Sequence, residues 1–524
     1  HHSYSLFLYF RRRTMNSCNI EKQVEPTPSI HSHSTIQEYV MITTSNNNTP
    51  NDHNNNGNDT SNSSSLVVAT ERAYTTALLR SLEFGGIKFV RYLTVDPFNN
   101  IRSKVRPIDY LMRQNVPSLN QQVSVAEVCY GGLPFYADIM QEESGVNASK
   151  VLSIQADPAS LRVLPYAPKS AVVFGDLMDQ FTNETSPLCT RSLLRRVIRG
   201  AESRHNVAFN VGAELEFCLV QNVDLNNNNN NKICDYIDQS TFANTITLND
   251  NDDLIDKLYT QLQQQHIPIE LIHSESGPGQ LEIVLQYSND PIDLCDNIVL
   301  AKETIQSVAK DFGYRALFLP KYDMTKAGNG LHVHVSTRDA STGKPTFSKN
   351  GGSTQQYGLD SSPDDALTTQ GASFIEGILQ HLPAIMGLSL PTTNSYRRVG
   401  KGCWTGSVVG WALEDKEVGV RVCSNLQSKE WDHVECKLFD STANPYLALA
   451  MLLLSGLSGI ETQSKLRPSL HSSKHDDAKP LPSSLEKALD ALESDKVLTS
   501  AMGEKLTKAY LTIRRHEAKR ASSM

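Results

Sequence analysis

The chain has 524 residues, of which 39% are hydrophobic and 20% charged, with a formal net charge of −8. That length allows two or three domains around a large buried core, and the composition is ordinary for a folded soluble protein. The acidic balance, with no basic patch interleaved with aromatics, excludes a general nucleic-acid binder. At the start, "HHSYSLFLYFRRRTMN" sets a short apolar patch before its arginines, the reverse of a signal peptide, and Met15 is a candidate start. Residues 44–65, "TSNNNTPNDHNNNGNDTSNSSS", are too polar to bury anything, so residues 1–68 are expected to form a disordered Asn/Ser-rich tail.

From 69 to 184 the pattern predicts a small α+β domain. A helical stretch, "ATERAYTTALLRSLEFGG", leads into a hairpin, "IKFVRYLTVD" and "IRSKVRPI" about a "PFNN" turn. Short strands separated by prolines follow in "KVLSIQADPASLRVLPYAPKSAVVFGDL". A second domain is expected over 185–524, opened by "SPLCTRSLLRRVIRGAESR", an N-cap candidate followed by helical periodicity. Within it, short strands carrying polar residues at spacing two alternate with long helices. The asparagine run "DLNNNNNNK" (224–232) reads as an expanded surface loop. The apolar run "YLALAMLLLSGLSGI" (446–460) is broken by Ser and Gly and falls short of the ~20 residues of a membrane span, so it reads as a core helix. The end piece "SSLEKALDALESDKVLTSAMGEKLTKAYLTIRRHEAKR" reads as helical with a solvated, charge-laced face. Nine scattered cysteines without a C-x-x-C suit reduced thiols in a cytoplasmic protein rather than disulfides or a zinc cage.

The chemistry concentrates at residues spaced by two, which share one face of a strand. "GNGLHVHV" places His332 and His334 together, although alone it also suits a half-buried strand with two satisfied histidines. "NVGAELEF" does the same with Glu214 and Glu216, where an amphipathic strand with two exposed acids is an equal reading. In "ELIHSESGPGQLEIVL" Glu275 precedes a Gly-Pro-Gly turn and Glu282 follows it, and "HVECKLF" gives Glu435 and Lys437. Clustered carboxylates repel one another and cost several kcal/mol when desolvated uncompensated, for which a hard divalent cation is the usual remedy. Oxygen-rich ligands with an occasional imidazole suit Mg²⁺ or Mn²⁺. Arg397 and Arg398 in "NSYRR", with Lys416 and Arg421 in "LEDKEVGVRV", add the cations that phosphoryl transfer needs. No Walker A or Rossmann fingerprint is present.

Taken in order, "GAELEF", "ESGPGQLE", "GNGLHVHVS", "NSYRR" and "E-x-K…ANPYLALA" resemble the successive motifs of the glutamine synthetase family, class I, over about residues 80–520. The resemblance implies a β-grasp-like first domain and a catalytic domain whose antiparallel strands form a funnel flanked by helices. ATP would enter one end and glutamate the other, and a γ-glutamyl phosphate would be attacked by ammonia or a larger primary amine. It implies two or more Mg²⁺ or Mn²⁺ ions per site: Glu216, Glu275 and Glu282 match the first metal position, and Glu214, His332 and Glu435 the second. Glu270, His334, Ser336 and Arg421 match the nucleotide side. Glu216, Gly328, Arg398, Trp404 and Lys437 match the substrate side, with Arg398, Arg421 and Lys416 serving catalysis. It also implies a ring-type homo-oligomer whose sites are completed by the neighbouring subunit's small domain, with no nucleic-acid or membrane partner.

Departures from the family pattern accompany these matches. The flap that carries a glutamate in ammonium-using members reads "GKGCWTG", with Trp404 at that position, and the "DGSS" segment has no counterpart around "CYGGLPFYAD". Lys437 and Lys416 stand where arginines are usual, and Ala327 where an asparagine is common. These changes resemble the FluG/nodulin-like branch, and they predict that ammonium is a poor acceptor and a larger amine is preferred. A catalytically silent scaffold and a phosphotransferase that leaves a stable phosphorylated product are the competing expectations.

Overall fold

The computed structural model describes residues 73–114, 118–119, 123–221, 236–349, 367–425, 431–472 and 478–523. The expected tail over 1–68, Met15 and the asparagine run at 224–232 lie outside the described residues. After a helix over residues 73–84, the first sheet is built from β1 (Phe89–Val95), β2 (Ile101–Pro107), β3 (Val123–Ala126), β4 (Val151–Ala156), β5 (Arg162–Val163) and β6 (Ser170–Asp179). Its order is β2-β1-β6-β4-β3, with β5 on β6; β1 and β6 run parallel while the other pairs are antiparallel. The β1–β2 hairpin closes about Asp96, whose Oδ1 accepts from the backbone N–H of Phe98 (3.0 Å) and of Asn100 (2.8 Å). The carboxylate before the "PFNN" stretch, rather than its proline, therefore fixes this turn.

The second, larger sheet contains β7 (Val207–Gln221), β8 (Ile269–Ser274), β9 (Gln280–Ser288), β10 (Tyr314–Leu317), β11 (Leu331–Asp339), β12 (Trp411–Leu413), β13 (Val420–Ser424) and β14 (Trp431–Cys436). Its order is β12-β13-β14-β11-β7-β9-β8, with β10 beside the far end of β7. All its pairs are antiparallel except β12–β13, a local departure from the expected antiparallel funnel. The architecture is α+β: a small N-terminal sheet domain, then a larger sheet flanked by helices.

Long helices of the second domain include Pro291–Asp311, Thr369–Ser389 and Pro445–Glu461. The last contains the apolar run, buried as expected, with Asn444 capping Leu447 N–H at 2.8 Å and a proline in the first turn. The small residues that interrupt the run are where it crosses Thr369–Ser389. A Cβ on Gly459 would stand 2.0 Å from the Ser373 carbonyl oxygen, and one on Gly377 would stand 2.2 Å from that of Ser455. Backbone touches backbone there, so the Ser and Gly serve packing.

Two expectations need correction. The helix Thr190–His205 starts at Cys189 with no side-chain cap. The C-terminal piece forms three helices, Leu485–Ser494, Lys496–Met502 and Glu504–Ser522, and they are not merely solvated. Leu485, Leu489, Leu498, Leu506, Tyr510 and Ile513 are buried, and Arg514 reaches the Phe98 carbonyl next to the first hairpin. Apart from the buried pair Arg514 and Glu517, the charges seen in sequence lie on the outer face of an amphipathic pattern.

Candidate active site

Register across the large sheet gathers the singled-out residues on one face. His332 of β11 lies opposite Glu214 of β7, and Glu216 opposite Glu282 of β9, which itself lies opposite His273 of β8. On the other side His334 faces Glu435 of β14, and Glu435 faces Arg421 of β13. Spacing-two pairs on strands of matched register thus become a continuous row of charge through six strands.

Distances define its centre. His332 Nδ1 lies 2.8 Å from Glu214 Oε2 and 3.5 Å from Glu435 Oε1, while its Nε2 lies 3.4 Å from Glu216 Oε1. His334 Nε2 contacts Glu214 Oε1 at 3.1 Å, and Arg421 Nε donates to Glu435 Oε2. Glu216 accepts from Gly330 N–H (2.9 Å) and Gln280 Nε2 (3.1 Å). A Cβ at Gly330 would stand 2.6 Å from His332 Nε2 and 2.7 Å from Arg398 Nη2, so a side chain there would displace these groups.

Burial and charge pull these groups in opposite directions. Burial disfavours the Glu214 carboxylate, yet hydrogen bonds and charge from His332 and His334 hold it well below the usual range. Glu435 is likewise lowered by both histidines against burial. Glu216 is raised by burial, which outweighs His332 and Arg398. Glu282 is pushed up to about 7 by burial, against its hydrogen bond with His273. His332 rises to about 9, because Glu216 and Glu214 overcome the desolvation of its cation. Burial and mutual repulsion thus oppose ionisation of the crowded carboxylates, and the imidazoles favour it.

Donor atoms from three groups of this row lie close enough to share an ion: Glu214, His332 and Glu435; Glu216, Glu282 and His332; and His273, Glu275 and Glu282. The first is the trio matched to the second metal position. The trio matched to the first position is divided, with Glu282 common to two groups and Glu275 paired with His273 rather than with Glu216. Glu275 Oε2 accepts from the backbone N–H of Ser276 at 2.6 Å. The donor set fits a hard divalent cation: oxygen-rich, buried and short of positive charge. Its chemistry would be polarisation of phosphoryl oxygens and neutralisation of developing charge.

Other expected residues surround this centre. Arg398 is buried and donates to the carbonyls of Phe439 (3.1 Å) and Lys437 (3.4 Å), with Gly328 packed against its Cβ. Lys437 is buried and its Nζ donates to the carbonyl of Lys416 at 3.1 Å, whereas the Lys416 side chain is exposed. Ser336 follows on the His332–His334 face, opposite Asn210. Glu270 lies exposed near the start of β8, at a register shift, outside the ligand groupings. Trp404 is half exposed with φ +61° on a loop whose ends meet at a Gly400–Gly406 bridge, and Glu417 Oε2 accepts from Gly402 N–H of that loop at 3.3 Å. Residues missed in the sequence are His273, His433, Cys423 and Gln280. The first three obey the spacing-two rule, standing two positions from Glu275, Glu435 and Arg421.

Comparison with known proteins adds a separate line. Residues 187–524 match the family described as glutamine synthetase, catalytic domain. Type-1 glutamine synthetase 1 of Dictyostelium discoideum is 30% identical over 445 residues, covering 83% of this chain and 86% of that protein. Gamma-glutamylpolyamine synthetase GlnA3 of Streptomyces coelicolor is 28% identical over 355 residues, 65% of this chain and 72% of its own length. Among solved structures, a novel glutamine synthase homolog superposes with a TM-score of 0.70 at 24% identity, over 84% of this chain and 96% of that one. A GmaS/ADP complex gives 0.68 at 24% identity, over 85% and 96%, and at this identity both structures speak for the fold alone.

Proposed function

Because the chain belongs to the glutamine synthetase family, we propose that it is an ATP-dependent ligase that joins the side-chain carboxylate of glutamate to an amine through γ-glutamyl phosphate. The observation that carries this reading is the buried row of carboxylates and imidazoles, for which a fold alone has no use. Glu214, His332 and Glu435, with Glu216, Glu282 and Glu275, would hold the divalent cations. When bound, these cations supply Lewis-acid stabilisation of the transferring phosphoryl group.

The remaining roles belong to the chain's own side chains. Arg421, positioned by its hydrogen bond to Glu435, directs its charge toward the transferred phosphoryl group. Arg398 is held rigid by two backbone carbonyls and, with Gly328 and Lys437, orients glutamate. His334, Ser336 and Glu270 contact the nucleotide, and Lys416 adds a mobile cation at the phosphate end. Trp404 walls the amine's approach, and it has no group that removes a proton. That favours a larger primary amine as acceptor, in keeping with a relative named for γ-glutamylpolyamine synthesis. The same replacement supports placing the chain near the FluG/nodulin-like members, and protein fluG of Emericella nidulans is 30% identical over 285 residues, 52% of this chain and 29% of that protein.

We further infer cytoplasmic action in a ring-type oligomer. Among the described residues no helix is long and apolar enough to cross a membrane. Exposed Phe84, Phe135 and Phe181 on the N-terminal part give subunit contacts something to cover. The test combines purified protein with ATP, Mg²⁺, glutamate and a panel of amines, reading ADP release and product mass. A γ-glutamyl amide of one amine is the expected product. A stable acyl phosphate without amide, or no ADP release with any amine, would reject the reading.

A further inference from the structure

Beside the carboxylate row stands a group of a different character. Cys423 of β13, His433 of β14 and His334 of β11 bring a sulfur and two imidazole nitrogens within 4.8 Å of one another. The sheet builds this trio in the same way as the acidic one. Cys423 pairs directly with His433, and His433 shares a strand face with Glu435, the partner of His334. The two imidazole rings stand 5.1 Å apart between centroids.

We propose that His334, His433 and Cys423 form a separate site for a borderline-soft divalent cation of the zinc type. Sulfur with imidazole selects such ions over Mg²⁺, as carboxylate oxygens select the reverse. The second layer is also in place. His433 Nδ1 is paired with Asp432 Oδ1, and His334 Nε2 with Glu214 Oε1, so a carboxylate orients each ring. Carboxylate-oriented imidazoles of this kind are the usual partners of a bound metal. Cys423 is buried and in no disulfide, and among the described residues its Sγ makes a long contact of 3.9 Å to the Arg421 carbonyl. Three protein ligands leave a coordination position open, as in zinc sites that exchange a ligand.

The site has a consequence for the enzyme. Zinc bound there engages His334, which the proposed function sets beside the nucleotide, so zinc and productive ATP binding exclude each other. This consequence rests on that functional reading; the site itself does not.

Cobalt(II) serves as the probe, titrated into the full chain in saturating Mg²⁺ so that the carboxylate row is already supplied. One equivalent is expected to give a thiolate-to-cobalt charge-transfer absorption that zinc abolishes. Cys423→Ala should remove the band, and His433→Gln should weaken cobalt binding at least ~10-fold, which covers the case in which the cysteine variant misfolds. No band, or an undiminished band in Cys423→Ala, overturns the site. ADP release is the second readout: zinc should raise the apparent KM for ATP in the wild type and not in Cys423→Ala. Zinc held by the thiolate without effect on ATP use overturns the exclusion. A chain that releases no ADP at all still reports the site by cobalt and rejects only the ligase.

Discussion

Both sheets bury acids, but they provide for them differently. In the N-terminal sheet Asp96 is fully enclosed and its carboxylate is spoken for by Arg102 at 2.9 Å, by Asn100 and by two backbone N–H groups. Glu127 has Lys505 at 2.6 Å and Lys150 at 3.8 Å. In the large sheet Glu214, Glu216, Glu282 and Glu435 share His332, His334, His273 and Arg421, and several contacts are long. An acid with its own cation staples a fold. Acids that must share imidazoles repel one another, and crowding them costs stability unless a cation is bound.

Removing one acid from each sheet sharpens the contrast most. Glu216→Ala should cut turnover by at least ~10³-fold, the scale of losing a preorganised electrostatic contact at a reacting phosphoryl group. In metal-free buffer its thermal midpoint should fall less than that of Asp96→Ala, because losing a repelling carboxylate offsets the loss of an acceptor for Gly330 N–H and Gln280. Asp96→Ala should do the opposite. Its loss leaves Arg102 and the hairpin N–H groups unpaired, costing about 3 kcal/mol, toward the low end for a buried pair because Arg102 keeps solvent contact. Denaturant midpoints and kcat measured on both variants decide this, and a Glu216→Ala protein that turns over normally would break the comparison.

The second effect is smaller and turns on the metal alone. Mg²⁺ or Mn²⁺ at a hundred times its Kd should stabilise the wild type by about 2.7 kcal/mol. Glu435→Ala, which removes a member of the Glu214–His332–Glu435 group, should lose the part of that gain that comes from this position. Differential scanning with and without the ion gives the answer. An equal rise in the variant would mean that the ion binds elsewhere.

Much of this site was legible because spacing-two residues must share a strand face whatever the fold turns out to be. The pairs Glu214/Glu216 and His332/His334 needed no tertiary knowledge. Cross-strand register was invisible, and it decides which pairs meet: Glu275 meets His273, and Cys423 meets His433 rather than joining the acids. His273 and His433 were overlooked because each stands beside a louder carboxylate, although the same rule reaches both. The fold was legible to the same depth. The hairpin and the core helix follow from pattern, while the parallel β1–β6 and β12–β13 pairs depend on contacts far apart in sequence. The buried face of the C-terminal helices was masked by their charges, which a count of residue types cannot assign to one side.

The smallest expected effect lies at the rim, where the molecule departs from an acid-lined site. Trp404 holds a left-handed backbone conformation, φ +61°, which costs a bulky residue roughly 1–2 kcal/mol. A loop pinched at Gly400 and Gly406 maintains that conformation, so the ring is presented rather than tucked away, and half its surface stays exposed. An exposed indole face attracts an organic ammonium by about 0.5–1 kcal/mol, which corresponds to a 2- to 5-fold change in affinity. Trp404→Ala should therefore raise the KM for the preferred amine by that factor, with kcat nearly unchanged and no gain in ammonium use. Trp404→Glu supplies the missing carboxylate and should raise ammonium-dependent turnover, provided Glu417, which touches the same loop, does not already fill that role. Steady-state kinetics with ammonium and with the amine on both variants and on Glu417→Gln separates the cases. If ammonium saturates the wild type at low concentration and Glu417→Gln abolishes this, the acid-lined rim has been rebuilt from a different residue, and the contrast between centre and rim disappears.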